Sequence, residues 1–123
     1  MPAAPIKLLI ADDHAALRRT VRQLFEGEAV TISEAATGEE AVKIFSAEHP
    51  DWVAMDMRMP GMGGVKATEA IRKIDPAARV IVISQFTEAE FREQALRAGA
   101  VAFVDKENIS QLVELIRSHS PGN

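Results

Sequence analysis

Four short apolar runs in this sequence end in polar side chains that could take part in chemistry. These ends are Asp12-Asp13 after IKLLIA, Asp56 after WVAM, Ser84 in ARVIVIS, and Asp105-Lys106 after AVAFV. If the runs are strands of one open parallel sheet, their carboxyl ends form a ligand-binding edge, and these groups would converge there. Carboxylates that lie close together repel one another unless a proton or a cation compensates their charge. We therefore expect one small site that combines carboxylates with a cation.

The residue types in this set suit phosphoryl transfer to a carboxylate. Hard oxygen ligands favour Mg²⁺ (or Mn²⁺), and Mg²⁺ keeps several waters and binds through one or two carboxylates plus a phosphate. Lys106 adds a compact positive charge, and the Ser84 hydroxyl can donate to an anionic oxygen. Asp56 would then act as the nucleophile while the cations neutralise the developing charge. The glycines at positions 61, 63 and 64 would let the backbone lie close to that site.

The elements that must position these groups follow from the hydrophobic pattern. Strands are predicted over 6–11, 29–35, 52–55, 78–84 and 100–104, and helices over 14–28, 38–49, 64–74, 87–99 and 108–118. We expect Gly99 to end the fourth helix and Asn108 to cap the fifth. Five strands that alternate with five helices predict an α/β domain with a parallel sheet covered on both faces.

Composition narrows the class of protein further. A length of 123 residues with 47% apolar residues predicts one folded domain, over 1–118, with 119–123 as a tail or the start of a linker. The net charge of -4 argues against direct binding to nucleic acid, and the absence of cysteine fits a reducing cytoplasm. No apolar run is long enough to span a membrane, and the N-terminus lacks the features of a signal peptide.

Four segments together carry a resemblance to a known family. ADDH, MDMRMPGMGG, the IS that ends the fourth strand, and AGAVAFVDK resemble the receiver domain of bacterial two-component response regulators, from about Ile6 to Arg117. The family pattern Asp-x-x-Met-Pro-x-Met-x-Gly is matched by Asp56, Met59, Pro60, Met62 and Gly64. The resemblance implies a flavodoxin-like (βα)5 fold with the strand order 2-1-3-4-5.

The resemblance also implies a role for each site residue. Asp56 would be the phosphoacceptor, which takes its phosphoryl group from a phosphohistidine on a sensor histidine kinase. Asp12, Asp13, Asp56 and the backbone carbonyl of Arg58 would hold Mg²⁺ (or Mn²⁺). Lys106 and Ser84 would contact the phosphoryl oxygens. Beyond this self-modification and its slow reversal, the resemblance implies no enzyme activity.

A conformational switch is the next implication of the resemblance. Ser84 would move inward on phosphorylation, and Phe103 would turn into the vacated space, which changes the face formed by helix four, strand five and helix five. Phe103 lacks the hydroxyl of the more common tyrosine, so the switch must work by packing alone. Gln85 stands where many receivers have a small residue, and we expect it to restrict access to the phosphoryl group.

The output of such a switch is expected to be transcription control. The DDH pattern leans towards receivers that precede a LuxR-type helix-turn-helix, although these 123 residues contain none, so DNA would be reached only through an effector domain. In the last helix, Leu115 falls off the apolar stripe, which predicts a homodimer contact on phosphorylation. The fourth helix has few apolar residues, Phe91 and Leu96 among them, which predicts a mobile element.

Two other functions stay open at this point. A phosphatase or phosphotransferase that uses an aspartyl phosphate usually needs a second acid two residues after the nucleophile, where this chain has Arg58. A pseudo-receiver would bind partners without phosphorylation, and the loss of an acid or of the lysine would mark it. His14 is interpreted as a solvent-facing residue, Trp52 as a packing residue, and Ser84 could be an ordinary strand-end serine.

Overall fold

Five strands alternate with five helices in the computed structural model, which describes residues 5–118. The strands are β1 (Ile6–Ala11), β2 (Val30–Ala35), β3 (Trp52–Asp56), β4 (Val80–Ser84) and β5 (Ala102–Asp105). The helices are α1 (Ala15–Leu24), α2 (Gly38–Glu48), α3 (Gly64–Ile74), α4 (Ala89–Arg97) and α5 (Gln111–Ser118). The predicted tail over 119–123 lies outside the described residues.

All four strand pairings are parallel, and the strand order is β2-β1-β3-β4-β5. This confirms the α/β class and the 2-1-3-4-5 order. The register matters for the site, because Asp56 pairs with Ile83 and Ser84 pairs with Asp105. Asp56 and Ser84 are therefore the last residues of adjacent strands, and their side chains meet at the carboxyl edge of the sheet.

The sheet separates two apolar cores, because successive side chains of a strand point to opposite faces. In β1, Leu8 and Ile10 face the side covered by α1 and α5, whereas Leu9 and Ala11 face the side covered by α2, α3 and α4. Trp52 is buried in the first of these cores, and the guanidinium of Arg79 lies 4.5 Å from its ring centroid. The interpretation of Trp52 as a packing residue is confirmed.

Several helix boundaries differ from the prediction, by one to four residues. α1 ends at Leu24, four residues early, because the chain turns through Gly27, whose φ is 82°. Asn108 does not cap α5, because it is the last residue of a 3₁₀ turn over Lys106–Asn108 and α5 begins only at Gln111. The Asp105 carboxylate caps that turn by accepting from the Glu107 amide. α4 ends with Ala98 as its capping residue, and Gly99 follows with a φ of 107°, as a helix stop requires.

The helix α4 is weakly anchored to the sheet. Ala95 is its one buried residue, and Phe91 packs only partly against the core. Leu96, which the sequence suggested as an anchor, is 47% exposed instead. Mobility of α4 stays a prediction.

None of the helices within residues 5–118 combines the length and the apolar character that crossing a bilayer would require.

Candidate functional site

A pocket of about 240 Å³ opens at the carboxyl edge of the sheet. Its lining residues are His14, Asp56, Arg58, Ser84, Gln85, Phe86 and Lys106. Asp12 lies directly beneath it, fully buried, and Asp56 and Ser84 are also buried, at 3% and 1% exposure. The structure thus brings together Asp12, Asp56, Ser84 and Lys106, which the sequence places up to 94 residues apart.

The ammonium group of Lys106 lies between two carboxylates. Its Nζ is 2.9 Å from Asp12 Oδ2 and 3.1 Å from Asp56 Oδ1, and the lysine side chain is only 15% exposed. A buried ion pair is stable only where such contacts offset the loss of hydration. The buried Asp12 carboxylate is thus compensated by the Lys106 ammonium group.

The protonation of Asp56 reflects this crowding. Burial, and then the negative charge of Asp12, raise the pKa of the Asp56 carboxyl to about 6. Lys106 and the backbone amide of Arg58, whose nitrogen lies 3.4 Å from Asp56 Oδ1, oppose the increase. Burial alone would lower the pKa of Lys106, but Asp12 and Asp56 outweigh it, and the net effect is an increase. The site therefore carries more negative charge than one ammonium group compensates.

Asp56→Asn is expected to stabilise the metal-free protein at neutral pH. A normal aspartate ionises near 3.8, whereas folding raises the pKa of Asp56 to about 6, so the folded chain holds the proton more tightly. The stability that this gives is present at low pH and is lost as the pH rises through 6. An amide avoids that loss, and the gain in free energy of unfolding should grow between pH 4 and 7 to at most about 3 kcal/mol.

Urea denaturation in the presence of a chelator, at a series of pH values, measures this difference. Glu69→Gln makes the same acid-to-amide change on an exposed side chain of α3 and controls for the loss of one charge. A difference between Asp56→Asn and wild type that does not vary with pH would contradict the prediction.

His14 faces solvent, as the sequence suggested, and it also belongs to the site. Its side chain is 68% exposed, but Nδ1 lies 3.0 Å from Asp12 Oδ1 and 3.2 Å from Asp13 Oδ1. The His14 amide also donates to Asp12 Oδ1, over 2.8 Å, at the start of α1. Ligand atoms of Asp12, Asp13, His14 and Asp56 all lie within 4.8 Å of one another. The three carboxylates among them are the hard oxygen donors that suit Mg²⁺.

An arginine on α1 positions the loop that carries these acids. Arg18 Nη1 donates to the backbone carbonyl of Asp12 over 2.7 Å, and its Nε donates to Glu34 Oε1 on β2, also over 2.7 Å. Hydrogen bonds from Arg22 and then Arg18 lower the pKa of Glu34. The sequence did not indicate this contact, because it depends on which face of α1 packs beside β2.

The loop after Asp56 is held close beneath the pocket. The Gly64 amide donates to the Met57 carbonyl over 2.9 Å, and the Glu39 carboxylate at the start of α2 accepts from the Met62 amide. Gly61 adopts a φ of 74°, a region that glycine occupies without strain. These contacts fix the backbone of residues 57–64 against the end of β3.

Ser84 and Phe103 lie on adjacent strands. The Ser84 Oγ accepts from the Phe86 amide over 2.9 Å, and its proton is available to another acceptor. Phe103 is buried, and the guanidinium of Arg92 lies 5.0 Å from its ring centroid. Gln85 is exposed at the pocket mouth, where it can limit access.

The side chain of Arg58 leaves the pocket floor and contacts two aromatic rings. Its guanidinium carbon lies 4.4 Å from the ring centroid of Phe86 and 5.5 Å from that of Phe91. The two rings are themselves 5.9 Å apart and tilted by 47°. The family resemblance implies a role only for the backbone carbonyl of Arg58, and nothing in the spacing of these residues indicates that its side chain stacks on the rings.

A groove of about 490 Å³ lies on the face formed by α4, β5 and α5. Leu96 and Val101, on its rim, are 47% and 51% exposed. Leu115 also lines it but is half-buried and packs against the core below α5. The apolar character of this face therefore comes more from Leu96 and Val101 than from Leu115.

Comparison with protein families gives a match over almost the whole chain. The model of the response regulator receiver domain matches residues 8–117. The response regulator GacA of Pseudomonas aeruginosa is 33% identical over 116 residues, which cover 91% of this chain and 54% of GacA. The sporulation initiation phosphotransferase F of Bacillus subtilis is 29% identical, with 94% of each chain covered. The chain thus spans about half the length of curated regulators such as GacA.

Solved structures agree with the fold. A LuxR-family two-component response regulator from Aurantimonas sp. SI85-9A1 has a TM-score of 0.84 and 36% identity, over 93% of this chain and 84% of that one. CheY in the CheX–CheY–BeF3–Mg complex from Borrelia burgdorferi has a TM-score of 0.82 and 32% identity, over 92% and 90%.

Proposed function

Because the chain belongs to the response regulator receiver domain family of two-component signalling systems, we propose that Asp56 is its phosphoacceptor and that a sensor histidine kinase is the phosphodonor. The arrangement of Lys106 supports this assignment most strongly. Its ammonium group lies 3.1 Å from Asp56 Oδ1 inside a pocket that also contains the Ser84 hydroxyl. A carboxylate with a cation beside it is equipped to attack phosphorus and to hold the product.

In the proposed transfer, a carboxylate oxygen of Asp56 attacks the phosphorus of a phosphohistidine. The new O–P bond forms as the N–P bond breaks, and the leaving imidazole keeps the bonding electron pair and takes a proton from solvent. A pKa of about 6 leaves Asp56 mostly ionised at neutral pH, so the nucleophile is available. Lys106 neutralises charge on the phosphoryl oxygens, and the Ser84 hydroxyl donates to one of them.

The acidic residues of the site fit a divalent cation. Asp12, Asp13, Asp56 and the backbone carbonyl of Arg58 would hold Mg²⁺ or Mn²⁺, both of which favour oxygen ligands. The closeness of the ligand atoms of Asp12, Asp13 and Asp56, within 4.8 Å of one another, supports this assignment. Such an ion would neutralise charge on the phosphoryl group. The Borrelia CheY complex, which contains BeF3 and Mg, has the same fold.

The proposed output is a change in the face formed by α4, β5 and α5. When Ser84 turns towards the phosphoryl group, it gives up its bond to the Phe86 amide, and Phe103 moves into the space beside it. Phe103 has no hydroxyl, so the response depends on its packing and on its contact with Arg92. The unmodified and the phosphorylated state would differ in the position and exposure of the Leu96 and Val101 side chains.

The receiver domain would comprise 1–118 and act on a transcription-regulating effector domain, as relatives of twice the length suggest. The protein would act in the cytoplasm, where it would be modified once per signal, dephosphorylate slowly and turn over no external substrate. Contact with DNA would be made by the effector domain alone.

A homodimer formed on phosphorylation is a further prediction, and sedimentation of the phosphorylated protein, with and without Leu115→Glu, would test it.

Intact mass spectrometry after incubation with acetyl phosphate tests the proposal. We expect a single phosphoryl adduct that requires Mg²⁺, disappears when a chelator is added beforehand, and is stable in acid but labile in base. Peptide mapping should place it on the segment that contains Asp56. A folded protein that gains no adduct under any condition would contradict the proposal and favour a pseudo-receiver.

A further inference from the structure

The guanidinium of Arg58 lies at the border between the pocket and α4. Arg58 lines the pocket with Asp56, two residues before it in the chain, and its backbone amide faces Asp56 Oδ1. Its guanidinium nevertheless rests over Phe86, in the connection to α4, and near Phe91, in the first turns of α4. One side chain therefore connects the proposed phosphoacceptor loop to the weakly anchored helix.

The charges in the pocket indicate that this position would change on phosphorylation. An acyl phosphate on Asp56 carries more negative charge than the carboxylate it replaces. Lys106 already contacts both buried carboxylates, Asp12 and Asp56. The second lysine or arginine among the pocket-lining residues is Arg58, whose planar guanidinium can make two parallel hydrogen bonds to a phosphate.

The two alternatives for the Arg58 guanidinium differ in strength. At an exposed site, a cation–π contact is a weak interaction. Hydrogen bonds between a guanidinium and a phosphate are assisted by charge and are markedly stronger, particularly when two form in parallel. The guanidinium should therefore stay on the aromatic rings while Asp56 is unmodified, and should bind the phosphoryl group once that group is present.

We propose that the Arg58 guanidinium is a second cationic ligand of the phosphoryl group, held on the Phe86–Phe91 pair until Asp56 is modified. The inference rests on the proposed function, since it needs a phosphoryl group on Asp56. When the guanidinium leaves, Phe86 and Phe91 lose the cation that covers them. Because Ala95 is the one buried residue of α4, the start of this helix then becomes looser. This response adds to the Ser84–Phe103 switch and does not depend on it.

Two measurements on the same samples test this inference. The Arg58 Nε–H resonance in an ¹⁵N-arginine NMR spectrum should shift when acetyl phosphate and Mg²⁺ are added. Hydrogen exchange over 88–92 should become roughly two- to five-fold faster at the same time, the factor that corresponds to the loss of an exposed cation–π contact. Phe86 is left out of this window because its amide donates to Ser84 Oγ, which is itself proposed to move. Intact mass measures how much protein is modified.

Two variants separate the role of Arg58 from general effects. Arg58→Met keeps an apolar side chain against the rings but has no charge, so exchange over 88–92 should be fast before modification and change less than two-fold after it. Arg79→Met removes the corresponding arginine from the Trp52 ring at the far end of the sheet, and should respond like wild type. Loss of the response in Arg58→Met alone would support the inference.

Other outcomes would overturn the inference. A modified wild-type protein whose Arg58 resonance does not move, or an Arg58→Met variant that shows the full wild-type increase in exchange, would overturn it while the proposed function stands. A wild-type protein without any phosphoryl adduct would overturn the proposed function, and this inference with it.

Discussion

Asp56→Asn is expected to reduce the phosphoryl adduct formed with acetyl phosphate and Mg²⁺ by roughly two orders of magnitude or more, because the nucleophile itself is removed. An amide has no anionic oxygen to attack phosphorus. The variant should still fold, since the amide is similar in size to the carboxylate and relieves the repulsion from Asp12. Intact mass over a time course, compared with wild type, measures the loss.

Matched variants show whether the loss is specific to the nucleophile. Glu69→Gln makes the same chemical change on the exposed side of α3 and should form the adduct at the wild-type rate. Asp12→Asn removes an acid that contacts the same lysine, and should slow the reaction while leaving the site of modification on Asp56. An Asp56→Asn variant that still gains a phosphoryl group as fast as wild type would show that another residue is the acceptor.

The edge of the sheet that carries the site could be predicted from the residue pattern, and the strand order from the family resemblance. Short apolar runs alternate with segments of helical period, and a parallel sheet places the carboxyl ends of all strands on one edge. Asp56 and Ser84 could therefore be assigned to one place without any knowledge of contacts. The strand order itself came from the family resemblance, since periodicity does not specify which strands are neighbours.

The positions of side chains in the loops could not be predicted in the same way. Arg58 stacks on Phe86 and Phe91 because the connection before α4 folds back over the pocket, and no spacing in the sequence encodes that path. His14 follows two acids directly, and this adjacency was the available signal for its contact with them. Asn108 is not a helix cap because it is the last residue of a 3₁₀ turn, and α5 begins three residues later, at Gln111.

On α4 and α5, the burial of side chains at the edge of an apolar stripe also could not be predicted from sequence. A helical stripe predicts which side of a helix faces the core, but the edges of that stripe depend on neighbouring elements. Leu115 lies at such an edge and is half-buried because the core beside Trp52 extends under it, whereas Leu96 is exposed. Leu115 is thus more buried than its position off the stripe indicates, and Leu96 is exposed although it is one of the few apolar residues of α4.

Gly64→Ala is expected to lower the free energy of unfolding by about 3 kcal/mol, an effect at the upper end for overpacking. A Cβ at position 64 would overlap the carbonyl oxygen of Asp56 and lie 3.0 Å from Met57 Cα. Both neighbours are backbone atoms of the proposed phosphoacceptor segment, so they cannot rotate away as a flexible side chain could. The clash should outweigh the higher helix propensity of alanine, about 1 kcal/mol.

Gly63→Ala provides the control for this prediction, since it makes the same change one residue earlier. A Cβ there has its nearest contact at 3.4 Å, with the Met57 carbonyl oxygen, and the φ of -73° suits alanine. Its cost should stay below about 1 kcal/mol in urea denaturation. Equal stability of the two variants would mean that the loop relaxes freely. If Gly64→Ala alone is destabilised and also slow to form the adduct, the close approach of α3 to Asp56 is what holds the acid at the pocket.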